Sequence, residues 1–194
     1  MKIVFATNNP YKLKEVKRLL LSSNYQIVSL KDIGFFDDIP EPHDTLEANA
    51  LEKARTIHQK FGINCFSEDT GLEVTALNNA PGVYSARYAG EQKSSENNMD
   101  LLLKNLEKHE DRTAQFRTVV ALILDKKEYL FEGIVKGNIL FERQGTDGFG
   151  YDAIFQAIGY QQSFAEITAD EKNAISHRGK AIEKLIHFLQ TQQL

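Results

Sequence analysis

Cysteine is nearly absent from this 194-residue chain, and the one thiol, Cys65, excludes any internal disulfide and fits a reducing compartment. Set in the apolar stretch Ile63-Asn64-Cys65-Phe66, it reads as a small buried hydrophobe. Long apolar runs are also missing. The longest, Val119 to Leu124, falls far short of the ~20 residues that span a bilayer. Met1-Lys2-Ile3-Val4-Phe5 passes directly into polar Thr7-Asn8-Asn9, which is not a signal h-region. No membrane partner is expected, and the cytoplasm is the expected location. Positive charge is not in excess: the formal net charge is −4, which argues against a protein that coats a polyanion, so no nucleic-acid partner is expected and any phosphate site must be local. No internal repeat, low-complexity tract or Pro/Gly-rich linker marks a boundary. With 42% hydrophobic and 26% charged residues, the ordinary globular balance, residues 1–194 are expected to form a single domain with a real core.

Hydrophobic periodicity supplies the elements. Lys2 to Ala6 reads as a short strand. Asn8-Asn9-Pro10 then leads into a helix carrying Leu13, Val16, Leu19 and Leu20. Gln26 to Leu30 reads as a second strand. Leu46, Ala50, Ala54, Ile57 and Phe61 fall on one helical stripe beginning near Asp44, and Ile63 to Ser67 reads as a strand. Ala114 to Leu124 and Glu128 to Lys136 are β-rich runs separated by Asp125-Lys126-Lys127 and should pair as an antiparallel hairpin. Helical stripes recur at Met99, Leu102, Leu103 and Leu106, and at Ile182, Leu185, Ile186 and Leu189. The fold class is α/β: a mixed twisted sheet flanked by helices, in two lobes with a central substrate cleft.

Four segments carry candidate chemistry. Thr7-Asn8-Asn9-Pro10-Tyr11-Lys12 lies between a strand and a helix start, where unpaired N–H groups and the helix dipole favour phosphate and Lys12 adds a full charge. It lacks the Walker pattern, and an Asn-capped helix with an early proline is the competing reading. Ser67-Glu68-Asp69-Thr70-Gly71 places adjacent carboxylates where the strand is expected to end and the chain to turn. Such a pair suits a hard ion such as Mg²⁺ and a water to be deprotonated; a solvated acidic turn is the alternative. On the third segment Asn49 and Lys53 stand one helical turn apart, with Lys53 placed to reach a phosphate. Glu47 is either a metal contact or, three residues after Asp44, part of a capping box. The fourth joins Gly145-Thr146-Asp147-Gly148-Phe149-Gly150-Tyr151-Asp152 to the segment from Glu171 to Arg178. There, glycines allow close backbone approach to a flat ligand, Phe149 offers a stacking face, and Lys172, His177 and Arg178 supply donors near a helix start. A hairpin loop and a charged helix surface are the bland alternatives.

In this order the segments, together with Phe5-Ala6-Thr7-Asn8-Asn9 and Ala80-Pro81-Gly82-Val83-Tyr84-Ser85-Ala86-Arg87-Tyr88, make the chain resemble the inosine/xanthosine triphosphate pyrophosphatases almost end to end. The resemblance implies an enzyme that hydrolyses ITP, dITP and XTP between the α and β phosphates to a monophosphate and pyrophosphate, with Mg²⁺ as cofactor and a homodimer as the usual assembly. It implies that Thr7, Asn8, Asn9, Pro10, Tyr11 and Lys12 hold the triphosphate with Lys53, and that Glu68 and Asp69 serve metal and water, with Asp69 as proton acceptor. Thr70 would touch substrate. Phe149, Gly150, Tyr151 and Asp152 would form the base pocket, completed by Lys172, His177 and Arg178. Many relatives read Glu-Asn-Ala where this chain has Ala48-Asn49-Ala50. The acid is displaced to Glu47, which a one-residue shift turns by roughly 100° on a helix. Two rivals stay open: a non-catalytic nucleotide-binding regulator, and a pyrophosphatase for modified pyrimidine nucleotides. No role is assigned to the Tyr84 to Arg87 run.

Overall fold

The computed structural model describes residues 2–20 and 25–191. The chain forms two compact units, unit 1 being Met1–Asp69, Thr118–Gly133 and Arg178–Leu194, and unit 2 Thr70–Arg117 and Ile134–His177. A mixed sheet with flanking helices runs through the elements, and its strands β3 (Cys65–Val74), β5 (Thr113–Leu124) and β6 (Lys127–Ile139) each contribute residues to both units.

In unit 1 the strand order is β2-β1-β3-β5-β6, with β1 at Lys2–Phe5 and β2 at Gln26–Ser29. β1 is parallel to both neighbours, pairing Ile3 with Ile27 and Phe5 with Phe66. Parallel neighbours need long crossovers, and α1 (Pro10–Leu19) and α2 (Leu46–Phe61) supply them. α1 starts where Asn9 caps the helix and Pro10 takes the first position, a place where proline's missing N–H costs nothing. The cap of α2 is Thr45, whose hydroxyl accepts from the Ala48 N–H at 3.2 Å. The capping-box alternative required Asp44 as the N-cap; the N-cap is Thr45, one residue later. Gly62, at φ 67°, ends the helix, as residues without a Cβ readily do.

Side chains alternate across these strands. Ile3, Phe5, Phe66, Val120 and Leu122 form one cluster with Val16 and Leu20 from the first helix and its cap, and with Ala181, Ile182, Leu185 and Leu189 of α5 (His177–Thr191). The opposite side of β3 faces α2: the Cys65 thiol donates to the Ala54 carbonyl at 3.2 Å, and the Ser67 hydroxyl donates to that of Ala50. Cys65 is fully buried, as its sequence context suggested.

The expected β5–β6 hairpin forms, closed by Asp125 and Lys126 at φ 50° and 67°. Both φ values are positive, as a two-residue turn matching the strand twist requires. In unit 2 the order is β3-β5-β6-β7, with β7 at Phe155–Ala157 and the short β4 (Pro81–Gly82) paired antiparallel to β3. Its core joins Leu72 and Val74 to Met99 and Leu102 of α3 (Ser95–Asn105) and to a ring cluster of Phe116, Phe155 and Phe164. Lys172 lies on one helix, and His177 and Arg178 open the next. α4 (Ala169–Ile175), closed by a Thr168/Glu171 capping box, stops at Ser176, which is extended at ψ 159°, and α5 then begins at His177.

One expectation is overturned here. The chain does not turn at Glu68-Asp69-Thr70-Gly71; β3 continues extended to Val74. Gly71 serves close packing instead of a bend. A Cβ there would lie 2.7 Å from the Gly82 carbonyl oxygen, so the glycine lets β4 approach. Gly71→Ala is expected to destabilise the fold by about 1–3 kcal/mol, the range for forcing extra volume into a packed site. Urea unfolding checks this, and an unchanged midpoint would show that β4 gives way freely.

Candidate active site

Because β3 stays extended through Glu68 and Asp69, the two carboxylates point to opposite faces of the strand and acquire different partners. Glu68 follows Phe66 onto the face of α1 and α5. Asp69 follows Ser67 onto the face of α2.

On the first face Glu68 is 2% exposed. The Arg178 Nε donates to both of its oxygens at 2.9 Å, and Lys12 Nζ lies 3.2 Å from Oε1. Arg178 also donates from Nη1 to Glu15 Oε2 at 2.5 Å. Two cations and two carboxylates balance in this set. Burial pushes the Glu68 carboxyl up, but the Arg178 and Lys12 charges outweigh it and hold the group below the usual carboxylate range. Burial likewise disfavours the Arg178 cation, yet Glu68 and Glu15 hold its pKa above the ordinary arginine value. Such a pair is stable only because each charge is met by the other.

On the second face Asp69 accepts from Lys53 Nζ at 3.0 Å and from Asn49 Nδ2 at 3.4 Å. The i, i+4 spacing on α2 puts both donors on one face, as the sequence indicated. Lys53 donates as well to Glu41, a residue the sequence reading missed. Asp69 and Glu41 thus share the Lys53 ammonium. Burial lifts the Asp69 carboxyl above its ordinary value, Glu41 adds to the lift, and Lys53 and Lys12 counter it in part. Burial would lower the Lys53 ammonium, but the two carboxylates raise it. Glu47, in the first turn of the same helix, is half-buried. Among the described residues no group of three or more His, Cys, Asp or Glu side chains converges as a self-sufficient metal cage.

The segment from Thr7 to Lys12 is a capped helix start. The Asn9 Oδ1 accepts from the N–H groups of Tyr11 (2.9 Å) and Lys12 (3.2 Å), and the Thr7 hydroxyl accepts from the Asn9 N–H at 3.2 Å. Asn8 donates to the Asp37 carbonyl at 3.0 Å. Pro10 and Tyr11 are exposed. The capping alternative therefore describes Asn9, while Lys12 reaches Glu68.

In unit 2 the glycine-rich loop is organised around Asp152, which is 4% exposed. Its Oδ2 accepts from the Phe149 N–H at 2.8 Å and from Lys172 Nζ at 2.6 Å. Lys172 sits 4.8 Å above the Phe149 ring, a favourable place for a cation. Gly148, at φ 81°, has no Cβ to collide with the Asp152 carboxylate. Gly150 adjoins this turn, also at positive φ. Tyr151 is buried and donates its hydroxyl to the Ser85 carbonyl at 2.8 Å. The His177 ring stacks on Phe116, with centroids 4.6 Å apart. Thr70 is partly exposed at the start of this unit.

Ser85 gives the unassigned Tyr84 to Arg87 run a structural role. Its hydroxyl accepts from the Leu72 N–H (2.8 Å) and donates to the Gly82 carbonyl (2.6 Å), and its own carbonyl accepts from Tyr151 and Asn98. Glu15, three residues after Lys12, was detectable from helical spacing. Glu41, between Pro40 and Pro42, had no periodicity to reveal it.

Arg178→Met would leave Glu68 buried with only Lys12 as a countercharge. A loss of about 3 kcal/mol or more is expected. The folded-state pKa of Glu68 lies below its unfolded value. The stability its charge contributes is therefore complete above about pH 4.3 and is lost as pH falls through the depressed folded value. The deficit of the variant, read from unfolding curves, should be largest near neutrality and narrow in acid; a deficit that grows in acid would contradict the pairing.

Comparison with known proteins gives this arrangement its relatives. The sequence model of the Ham1 family matches residues 3–188. The chain is 53% identical over 189 residues to a dITP/XTP pyrophosphatase of Flavobacterium johnsoniae, covering 97% of this chain and 98% of that one. It is 49% identical over 189 residues to a protein of the same name in Porphyromonas gingivalis, covering 97% of each. A Ham1 protein of Coxiella burnetii superposes with a TM-score of 0.90 at 37% identity, over 98% of this chain and 99% of that one. The Staphylococcus aureus Ham1 protein gives 0.88 at 38% identity, over 99% and 100%. A match that runs through both units, in sequence and in fold alike, makes this chain a member of the Ham1 family.

Proposed function

We propose that the chain hydrolyses nonstandard purine nucleoside triphosphates, ITP, dITP and XTP, to the monophosphate and pyrophosphate, using Mg²⁺. The observation that carries the reading is the buried Asp69, its carboxyl raised by burial and faced by Lys53, in a chain that is about half identical to proteins named dITP/XTP pyrophosphatase. The same reading places it in the cytoplasm as a homodimer, with residues 1–194 acting as one functional domain.

The donor set fits Mg²⁺. Mg²⁺ commonly binds through one or two carboxylates plus substrate phosphates and water, and Asp69 and Glu41 already converge on the Lys53 ammonium. Asp69 and Glu41 would hold the ion. Glu68 and Glu47 remain further acids of the expected set, although Glu68 is engaged by Arg178 and Lys12. When bound, the ion supplies charge neutralisation on the phosphates and a lower pKa for water.

The chain's own residues do the rest. Lys12 and Lys53, with the helix start from Thr7 to Tyr11, bind the negative triphosphate and reduce its repulsion of the nucleophile. Water forms a bond to phosphorus, the bond from phosphorus to the bridging oxygen breaks, and pyrophosphate leaves with the electron pair. Asp69 takes the proton that the water loses. Burial raises its pKa and so makes it a stronger base than an ordinary aspartate. Phe149 stacks on the base, with Gly150, Tyr151 and Asp152 shaping the pocket, and Thr70 touches the substrate. Lys172 and His177 supply donors for the carbonyl oxygen of hypoxanthine or xanthine, while Arg178, bound to Glu68 and Glu15, holds the scaffold beside them in sequence. Adenine, with an amine at that position, leaves such donors mismatched.

Purified protein given dITP and Mg²⁺ should release pyrophosphate and the monophosphate; orthophosphate with the diphosphate would overturn the reading. ATP and modified pyrimidine triphosphates should turn over more slowly than dITP or XTP. Asp69→Asn should lower kcat by roughly 10²–10⁴-fold, the usual contribution of a general base, with the unfolding transition preserved. Full turnover in that variant would remove Asp69 from the mechanism.

A further inference from the structure

Asn49 is 1% exposed, and its side-chain amide is extensively bonded. Oδ1 accepts from the His43 N–H at 2.9 Å, and Nδ2 donates to the His43 carbonyl at 3.0 Å and to Asp69 Oδ2 at 3.4 Å. Both N–H donors of an amide are thereby used, together with an acceptor site, so the amide plane is fixed. The paired bonds to His43 grip that residue by its backbone, leaving its imidazole at the surface beside Glu52 at 3.5 Å.

Two residues earlier stands Glu41, bracketed by Pro40 and Pro42. Proline fixes its own φ and restricts the residue before it. Few soft torsions therefore separate the gripped His43 backbone from the Glu41 carboxylate. Glu41 accepts from Lys53, which lies one turn beyond Asn49 on α2 and donates to Asp69. The contacts close a ring: Asp69, Asn49, the His43 backbone, Glu41, Lys53 and back to Asp69.

We infer that Asn49 is a positioning residue that fastens the Glu41-bearing segment against Asp69 and so sets the spacing at which the two carboxylates meet a divalent cation. The inference rests on the proposed reading that these two acids face the metal. An amide suits the place where a carboxylate does not. Aspartate could still accept from the His43 N–H, but it would lose both donor bonds and set a second negative charge against Asp69.

The test uses the substrate-free full chain, with Mn²⁺ as probe. Mn²⁺ binding is read by calorimetry and amide exchange at His43 by NMR, with Asn49→Ser as a second, smaller change should Asn49→Ala fold poorly. Either variant should speed exchange at His43 and weaken Mn²⁺ binding on the order of 10- to 100-fold, the usual range when a residue supporting metal ligands is lost. Asn49→Asp should fail to rescue. The double variant Glu41→Gln with Asn49→Ala should bind Mn²⁺ no more weakly than Glu41→Gln alone, because both act through one segment. Thr45→Ala removes the cap of the same helix without touching the ring and should keep wild-type Mn²⁺ affinity. Wild-type affinity and slow His43 exchange in Asn49→Ala would overturn the inference, as would additive losses in the double variant. Wild-type affinity in Asp69→Asn would overturn the metal assignment itself, and His43 exchange would then decide whether Asn49 holds the segment.

Discussion

The site in unit 1 depends on the two-residue period of one strand. β3 remains extended across Glu68 and Asp69, so neighbouring carboxylates that look like a pair in sequence are directed to opposite faces. One meets Arg178 and Lys12 among the helices of the first cluster; the other meets Asn49 and Lys53 on α2. A turn at this point would have left both acids in water with ordinary pKa values. The strand instead buries both and makes their partners obligatory.

Burial then separates the two acids chemically. Around Glu68 the charges cancel, and the carboxylate is held firmly ionised beneath its usual range. Around Asp69 burial prevails, Glu41 adds to it, and Lys53 and Lys12 counter it only in part, so the group is pushed the other way. Two acids of one dipeptide thus differ because of what faces them. A balanced set suits a fixed scaffold for Arg178. The raised Asp69 carboxyl is the stronger base of the two.

In unit 2 the corresponding organiser is Asp152, whose single oxygen holds both the Phe149 backbone and the Lys172 ammonium. Fixing the loop and the cation from one atom sets the ring and the donor in register. Tyr151, expected beside the base, also anchors the loop by reaching the Ser85 carbonyl. Ser85 in turn ties β3 to β4 at Leu72 and Gly82. The Tyr84 to Arg87 run, to which the sequence assigned no role, thereby supports the loop that Asp152 holds.

The sequence by itself determined the elements whose signals are local: the helical stripes of α2, α3 and α5, the β5–β6 hairpin, the burial of Cys65, and the pairing of Asn49 with Lys53 on one helix face. These follow from periodicities of 3.6 and 2, which depend only on near neighbours along the chain. The family was legible as well, because its ordered motifs survive in sequence. What only the tertiary structure decided is the partner of each charge. Gly71 reads as a turn until Gly82 is seen pressed against it. Glu41 looks like a surface acid until Lys53 reaches it. Those contacts join residues far apart in the chain, and no local pattern records a meeting that the packing of helices on a sheet brings about.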